Sequence, residues 1–396
     1  MYRLALVLAL LPLLGTADIG QSATTQVNVE VVAIDLAGHR TNLTNNPAWD
    51  VNPAVARDGG IAFFTDRVGG GLDVMDAKGG NVRLVTASGG IEVAEDLEWS
   101  QASWAPTGTR IAFDGLYMAR PSPPCPQHCA GWHVLTVGAA GSGLREIALD
   151  ARAPSWSPDG AHLAYVSGVG PNDLGGNAPT PPAWSPDGRY LAYDSGVTIA
   201  SLDGSGGVQV PVASFGEARS GWSPGGGQLA FHGKPIRLAV AASPDGALSI
   251  YVARSDGTHE RRLTRGSDPS WSPDGRRLAF IDNCRLLTIG RNGKGKRRLS
   301  RNGEAVVAEA WAPKGNLIAY VAGTNPGYCG PAAPGKLRLE TATADGTRVR
   351  ILARQSALLL GGDIAGKNPV WAPSGKRILV TGEPRWAFSA LHRPVP

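Results

Sequence analysis

The heptapeptide PSWSPDG occupies Pro154–Gly160 and recurs, letter for letter, at Pro269–Gly275. A catalytic motif serves one site and is normally present once, so an identical stretch used twice points to a structural unit. Working outward, the same W-[SA]-P-x-G frame begins at Trp104, Trp156, Trp184, Trp222, Trp271, Trp311 and Trp371. Each copy runs within a few residues into a short apolar strand, starting at Ile111, Leu163, Leu191, Leu229, Leu278, Ile318 and Ile378. A worn copy without Trp or Pro, VARDGGIAFF, starts at Val55 and brings the first halves to eight.

The chemistry of the motif is that of a hairpin. Pro presets φ for the second position of a β-turn, Ser or Ala precedes it, and Gly tolerates positive φ at the end. Trp adds a large flat apolar surface at one fixed place per unit, suited to packing on the neighbouring unit rather than to a row of binding sites. A second half follows most hairpins: an alternating strand, a Gly-rich turn and a short closing strand, as from Leu72 and Leu248. Others start near His133, Val197, Arg285 and Leu337, and a seventh opens the chain at Val29.

The mismatch of eight and seven has two sources. The hairpin at Trp371 lacks a following second half, and the second half at Val29 lacks a preceding hairpin, so joined they complete one four-stranded unit. Trp156 and Trp184 stand too close for four strands, and the loop VGPNDLGGNAPTPP replaces the second hairpin there. Four-stranded units of about 40–50 residues in a closed ring are the signature of an all-β, β-propeller fold. The expectation is eight blade positions with one two-stranded blade at Trp156; the alternative is seven, with that hairpin outside the ring. In the first case the missing strands leave a notch lined by the loop from Asn172 to Pro182.

Through its W-S-P-D-G, LAF/LAY, IYVARSDG and RRLT pieces the chain resembles the propeller repeats of the TolB family, over about residues 28–386. The resemblance implies the propeller fold and is weak for function. The TolB translocation protein carries a separate α/β domain ahead of its propeller. Here only residues 24–27 stand between a signal-like segment and the first strand, so the expectation is a propeller-only relative.

Composition agrees with many short strands. Among 396 residues there are 53 Gly and 30 Pro, and charged residues are 18%, below the roughly 25% of ordinary globular chains. Hydrophobic residues at 42% suffice for a core and exclude general disorder. Arg3, the apolar run Leu4–Leu14 and the small residues that follow have the layout of a secretory signal peptide, residues 1–23. The run is short of the about 20 residues of a membrane span; the alternative is an uncleaved anchor. The expected organisation is therefore signal peptide 1–23, propeller 28–386 and tail 387–396. Location is expected to be secreted, periplasmic or in the cell envelope, with no stable membrane insertion after cleavage.

Candidates for chemistry are sparse. No G-x-S-x-G elbow, two-His metalloprotease motif or phosphate-binding loop occurs in the sequence. Four cysteines in an exported chain favour disulfides, here Cys284 with Cys329 across adjacent units and Cys125 with Cys129 within one loop. The rival for the second pair is a metal site of Cys125, His128, Cys129 and His133, whose ligand types suit zinc but whose spacing fits no standard finger. Asp66, Asp114, Asp194 and Asp282 fall at or just after equivalent strand ends. There they could gather at one axial face to bind a cation or polar ligand, or simply cap turns. The net charge is +5, and basic stretches lie at Arg261–Arg265 and Arg291–Arg301. They suit an acidic envelope polymer or protein face better than nucleic acid, or else form a solvated outer strand. The functional expectation is a monomeric, non-enzymatic platform without cofactor, for a protein partner or envelope polymer. The alternative is a propeller enzyme, hydrolase or lyase, with a site built from loops.

Overall fold

The computed structural model describes residues 29–67, 70–86, 100–118, 130–167, 180–193, 198–201, 207–209, 212–213, 221–235, 248–323, 337–354 and 369–382. Strands β1 (Glu30–Asp35) and β2 (Arg40–Asn42) open the chain. The first complete sheet is β3 (Asp50–Val55), β4 (Ile61–Thr65), β5 (Gly71–Met75) and β6 (Arg83–Leu84). The next is β7 (Ala102–Trp104), β8 (Arg110–Met118), β9 (Ala130–Gly138) and β10 (Arg145–Leu149). A two-stranded sheet follows, β11 (Ala151–Trp156) with β12 (Leu163–Ser167). Then come β13 (Ala183–Trp184), β14 (Tyr190–Tyr193), β15 (Thr198–Ser201) and β16 (Gly207–Gln209). The five-stranded sheet holds β17 (Val212–Ala213), β18 (Gly221–Trp222), β19 (Gln228–Pro235), β20 (Ser249–Arg254) and β21 (Arg261–Arg265). After it stand β22 (Ser267–Trp271), β23 (Arg277–Asp282), β24 (Arg285–Gly290) and β25 (Arg297–Arg298). The last full sheet is β26 (Ala305–Trp311), β27 (Leu317–Gly323), β28 (Arg338–Thr343) and β29 (Val349–Arg354). Finally β30 (Val370–Trp371) and β31 (Arg377–Gly382) join β1 and β2, with β1 antiparallel to β31 from Glu30↔Gly382 to Asp35↔Arg377. Every pairing is antiparallel. The ring is a β-propeller, closed by strands from both ends of the described chain.

The S-P-D-G turn is built by its own side chains. Ser157 Oγ donates to Asp159 Oδ1 and accepts the His162 amide at 2.9 Å, while the Gly160 amide donates to the Ser157 carbonyl. Gly160 sits at φ +71°, where a Cβ would be strained. The same set recurs at Ser185–Asp187–Tyr190 and Ser272–Asp274–Arg277. Where Ala replaces Ser, as at Ala105 and Ala372, the main-chain pair closes the turn without that hydroxyl.

What the sequence did not reveal is how the units are joined. Each motif indole donates to the main-chain carbonyl of the residue just before the preceding unit's Trp. Trp156 reaches Ser103 O at 3.2 Å, Trp184 reaches Ser155 O at 2.9 Å and Trp222 reaches Ala183 O at 2.8 Å. Trp271, Trp311 and Trp371 repeat the step onto Gly221, Ser270 and Ala310. Trp104 reaches Ala54, which precedes Val55, the residue standing where the worn copy lacks Trp. The accepting residue is always small, and it pairs across the hairpin with the small second residue of the apolar strand: Ala54↔Ala62, Ser103↔Ala112, Gly221↔Ala230, Ser270↔Ala279 and Ala310↔Ala319. That small-on-small pair makes room for the incoming ring: a Cβ on Gly221 would lie 3.8 Å from Trp271 Cδ1.

One junction breaks the rule consistently. Val55 has no indole to offer, and the pair facing it is large, Val370↔Leu379. Val55, Val370 and Leu379 instead pack into one apolar cluster with Ile61 and Phe63. A second tie lies further out, where an outer-strand Arg donates to a turn carbonyl of the following sheet: Arg83 to Ala139 O, Arg261 to Arg291 O and Arg350 to Ala37 O.

The Trp156 hairpin stands in this series between its neighbours, giving and receiving an indole bond. Trp156 itself is half-buried, and Tyr165, read from the sequence as a packing residue, is 37% exposed. Among the described residues β12 pairs only with β11, so no further strand of the sheet covers that side chain. Residues 172–179 of the expected notch lie outside the described residues.

The packing rule makes a testable contrast. Ala279→Leu, which fills the room taken by Trp311, is expected to destabilise the fold by about 1–3 kcal/mol through overpacking. Leu379→Ala at the aliphatic junction should instead cost about 2–5 kcal/mol through a cavity. Urea titration of both variants checks this, and a neutral Ala279→Leu would show that the small pair is not a packing requirement.

Candidate functional site

The carboxylates singled out in the sequence go to separate tasks. Asp66 is exposed, and its Oδ1 accepts the Trp49 amide at 2.6 Å. Asp114 is fully buried. It accepts the Gln101 amide within its own sheet and the Ala153 amide of the next sheet, at 2.5 and 2.8 Å. Ala153 takes φ +55° at a bulge in β11, so Asp114 holds a strained backbone position one unit ahead. Arg152 Nε lies 3.6 Å from the same carboxylate, and its guanidinium rests 3.5 Å above the centroid of the buried Trp132 ring. His232 does the equivalent work in the five-stranded sheet, accepting the amide of Asp268 (φ +50°) at Nδ1, 2.8 Å away. Asp282 is half-buried between Arg265 and Lys296, at 3.5 and 3.3 Å. Asp194 lies outside the described residues.

Of the zinc candidates only His133 is described. It is buried, with Nδ1 3.0 Å from Glu146 Oε2 on the paired strand. Cys125, His128 and Cys129 lie outside the described residues, as does Cys329. Cys284 carries no free thiol. With Asn283 it forms the two-residue turn between β23 and β24, at φ +48° and +60°, a conformation for which Gly is the usual second residue. Among the described residues no three His, Cys, Asp or Glu side chains group as metal ligands.

Two buried polar clusters escaped the sequence reading. In the first, Arg67 bridges Asp50 and Asp73 at 3.3 and 3.1 Å. Asn46 links Asp50 to Glu30 of the closing strand β1. Two buried carboxylates thus share one guanidinium, and a third, Glu30, joins them through Asn46. Burial pushes Asp73 up to about 6, Arg67 opposes the rise and Asp50 adds to it. In the second, Glu340 accepts from the Tyr320 hydroxyl at 2.8 Å and from Arg338 at 2.9 Å, and Arg338 also reaches Glu304 at 2.6 Å. Burial, reinforced by Glu340, pushes the Tyr320 phenol far up. The only trace of either cluster in the sequence is a charged residue at an inward position of a strand, as in LDVMD and LETAT.

At the surface, a cleft of about 590 Å³ opens between the five-stranded sheet and the sheet of β22–β25, on the side of the S-P-D-G turns. Ser223, Gln228, Arg261, Asp274, Arg291 and Asn292 line it. Fold and surface together define a closed β-propeller whose interior ionisable groups are engaged in holding the ring.

No protein-family model matches the sequence, and no relative is found among curated proteins. Several solved structures are similar. One is a protein assigned as TolB from Agrobacterium tumefaciens, at 14% identity over 90% of this chain and 98% of that one, TM-score 0.45. Another is an oligogalacturonate lyase from Vibrio parahaemolyticus, at 12% identity over 71% and 76%, TM-score 0.44. A third is a puromycin-hydrolysing peptidase from Mycobacterium tuberculosis, at 17% identity over 86% of this chain and 53% of that one, TM-score 0.49. At these identities the likeness is one of fold.

The Asp73 cluster predicts a pH dependence. The native pKa of about 6 lies above the ordinary 3.8, so the folded chain binds the proton more tightly than the unfolded one. The resulting stabilisation is full below pH 3.8 and is lost as pH rises to 6, by up to about 3 kcal/mol. Asp73→Asn, which keeps an oxygen for Arg67, should remove that loss. The stability gap between variant and wild type, read by urea titration at several pH values, should widen in favour of the variant across this window. A gap independent of pH would refute the assignment.

Proposed function

We propose that this chain is an exported, non-enzymatic β-propeller that presents its loops as a binding platform for a protein of the cell envelope or exterior. The observation that carries the reading is the use made of its ionisable side chains. Asp114, Arg152, Arg338, Glu304 and Glu340 are buried or nearly so and bound to one another or to the backbone, and the buried Asp73 is bound to Arg67. They stabilise the ring and leave recognition to the surface loops and turns. The signal-like segment 1–23 supports export, and residues 28–386 are then the mature platform, with eight angular positions and the Trp156 unit as the short one. Asp66, Asp194 and Asp282 remain proposed contacts for a polar ligand at the axial face.

We also propose a bridge between Cys284 and Cys329, which lie in adjacent repeat units of the sequence. A Cys in the left-handed position of a two-residue turn gives up the ease that Gly would provide there, and a covalent tie between two units is a reason to hold it. Peptide mapping of the exported, non-reduced protein should recover Cys284 joined to Cys329, and Cys125 to Cys129. Free thiols at the first pair would remove the inter-sheet bridge.

The platform reading is tested by affinity capture from envelope extract, followed by titration of the purified partner against the full chain in a calorimeter. One polypeptide binding at a fixed stoichiometry is the expected result. Turnover of a small substrate by the propeller alone, with no such partner, would replace the platform by an enzyme.

A further inference from the structure

The formal charge of this chain is unevenly placed. Residues 254–301 contain thirteen Lys and Arg against five Asp and Glu, a local +8. The whole chain is +5, so everything outside this segment sums to −3. The segment runs from the end of β20 through the sheet of β22–β25, two neighbouring units joined by the Trp271 indole bond. Ten of its thirteen cations are exposed, while of its acids only Asp256 and Asp274 are. The cleft lined by Arg261 and Arg291 opens inside this sector.

Repetition accounts for only part of the excess. An outer-strand Arg is a tie between sheets at Arg83, Arg261 and Arg350, so that part of the excess belongs to the repeat. Arg254, Arg276, Arg291 and Lys294 are not part of that element. Arg254 ends β20, while Arg276, Arg291 and Lys294 stand on turns, with Arg291 lining the cleft.

We propose that this basic sector is a docking surface for an acidic polypeptide segment, a site that rests on the platform reading and gives it a location. Eleven of the thirteen cations are Arg, whose planar fork suits carboxylates. The outermost strands β21 and β25 offer an edge along which an extended chain can lie. The lining adds neutral donors and acceptors from Ser223, Gln228 and Asn292, while Asp274 is already engaged by Ser272 and Arg276. Stacking surfaces are missing: both aromatics of the segment, Trp271 and Phe280, are buried, and none of the exposed large hydrophobics of the described residues lies in it. Nucleic-acid bases want an aromatic platform, and a membrane surface wants apolar side chains to insert. An Asp- or Glu-rich chain needs neither.

The test uses the full chain and fluorescein-labelled poly-L-glutamate, read by anisotropy. Binding is expected at low ionic strength and should vanish as salt rises from about 0.01 to about 1 M, where the Debye length falls from about 30 to about 3 Å. The triple variant Arg254→Glu, Arg291→Glu and Lys294→Glu removes exposed charges that form no tie between sheets, and should weaken binding by about tenfold or more. Lys78→Glu, Lys314→Glu and Lys376→Glu make the same change in charge on exposed positions elsewhere in the ring and should change it less than about twofold. Thermal melts of both triples confirm that they fold. Equal loss in the two triples, or none in the first, overturns the site. An oligothymidylate, a polyuronate or an anionic vesicle that binds as tightly as poly-L-glutamate overturns the class of partner. If the captured envelope partner still binds the first triple variant with unchanged affinity, this docking surface fails while the platform reading stands. If no partner is ever captured, the platform fails whatever poly-L-glutamate does.

Discussion

A single hydrogen bond, repeated, sets the geometry of this molecule: an indole N–H given to the carbonyl one residue before the previous unit's Trp. The indole has one donor and no acceptor, so the bond fixes both the contact and its direction around the ring. Each bond contributes only about 1 kcal/mol net. Its structural effect is larger, because it sets the register between sheets that share no strand. The apolar face of the same ring fills the space over a small-on-small cross-strand pair, so burial and direction come from one side chain. The turn hydroxyls, the outer Arg ties and the bulge residues held by Asp114 and His232 all presuppose sheets placed in this way.

The exception at Val55 shows that the constraint is on the pair and not on the Trp. Where the indole is gone, the two small residues are gone as well, and Val370 and Leu379 occupy the vacated volume. This is also the junction next to the sheet assembled from the two ends of the described chain. Aliphatic packing there is non-directional and tolerates small adjustments in a way that a hydrogen bond does not.

Much of this was legible in the sequence, and the reason is periodicity. Turn chemistry and alternating strands are local, so W-S-P-D-G and LAF announce themselves wherever they occur, and the unmatched halves at Val29 and Trp371 revealed closure. The ties between units were not legible, because Ser103 and Trp156 are far apart in the chain and nothing local marks one as acceptor for the other. The small residue that precedes every motif Trp except Trp371 is plain in the sequence, yet its meaning depends on the neighbouring sheet. Asp114 illustrates the same limit. Its position at a strand end suggested an axial ligand site or a turn cap, whereas its carboxylate spans to Ala153 and steadies a bulge in the next unit. Glu340 and Asp73 looked like ordinary strand residues until packing placed them at inward positions beside Arg338 and Arg67.

The division of labour among charges follows from the ring itself. A propeller buries the faces of its sheets against one another, so a charge in the middle strands must find a partner or be neutralised. Asp73, pushed up to about 6, and the Arg338–Glu304–Glu340 set are two answers to that demand. Only outer strands and turns escape it, and there charge is free to vary with little cost to the fold. Against that background the concentration of cations between Arg254 and Arg301 stands out. Outer-strand ties such as Arg261 and ion pairs such as Arg265 and Lys296 with Asp282 use part of this charge. The exposed remainder at Arg254, Arg291 and Lys294 is better explained by what this side of the ring meets than by what holds it together.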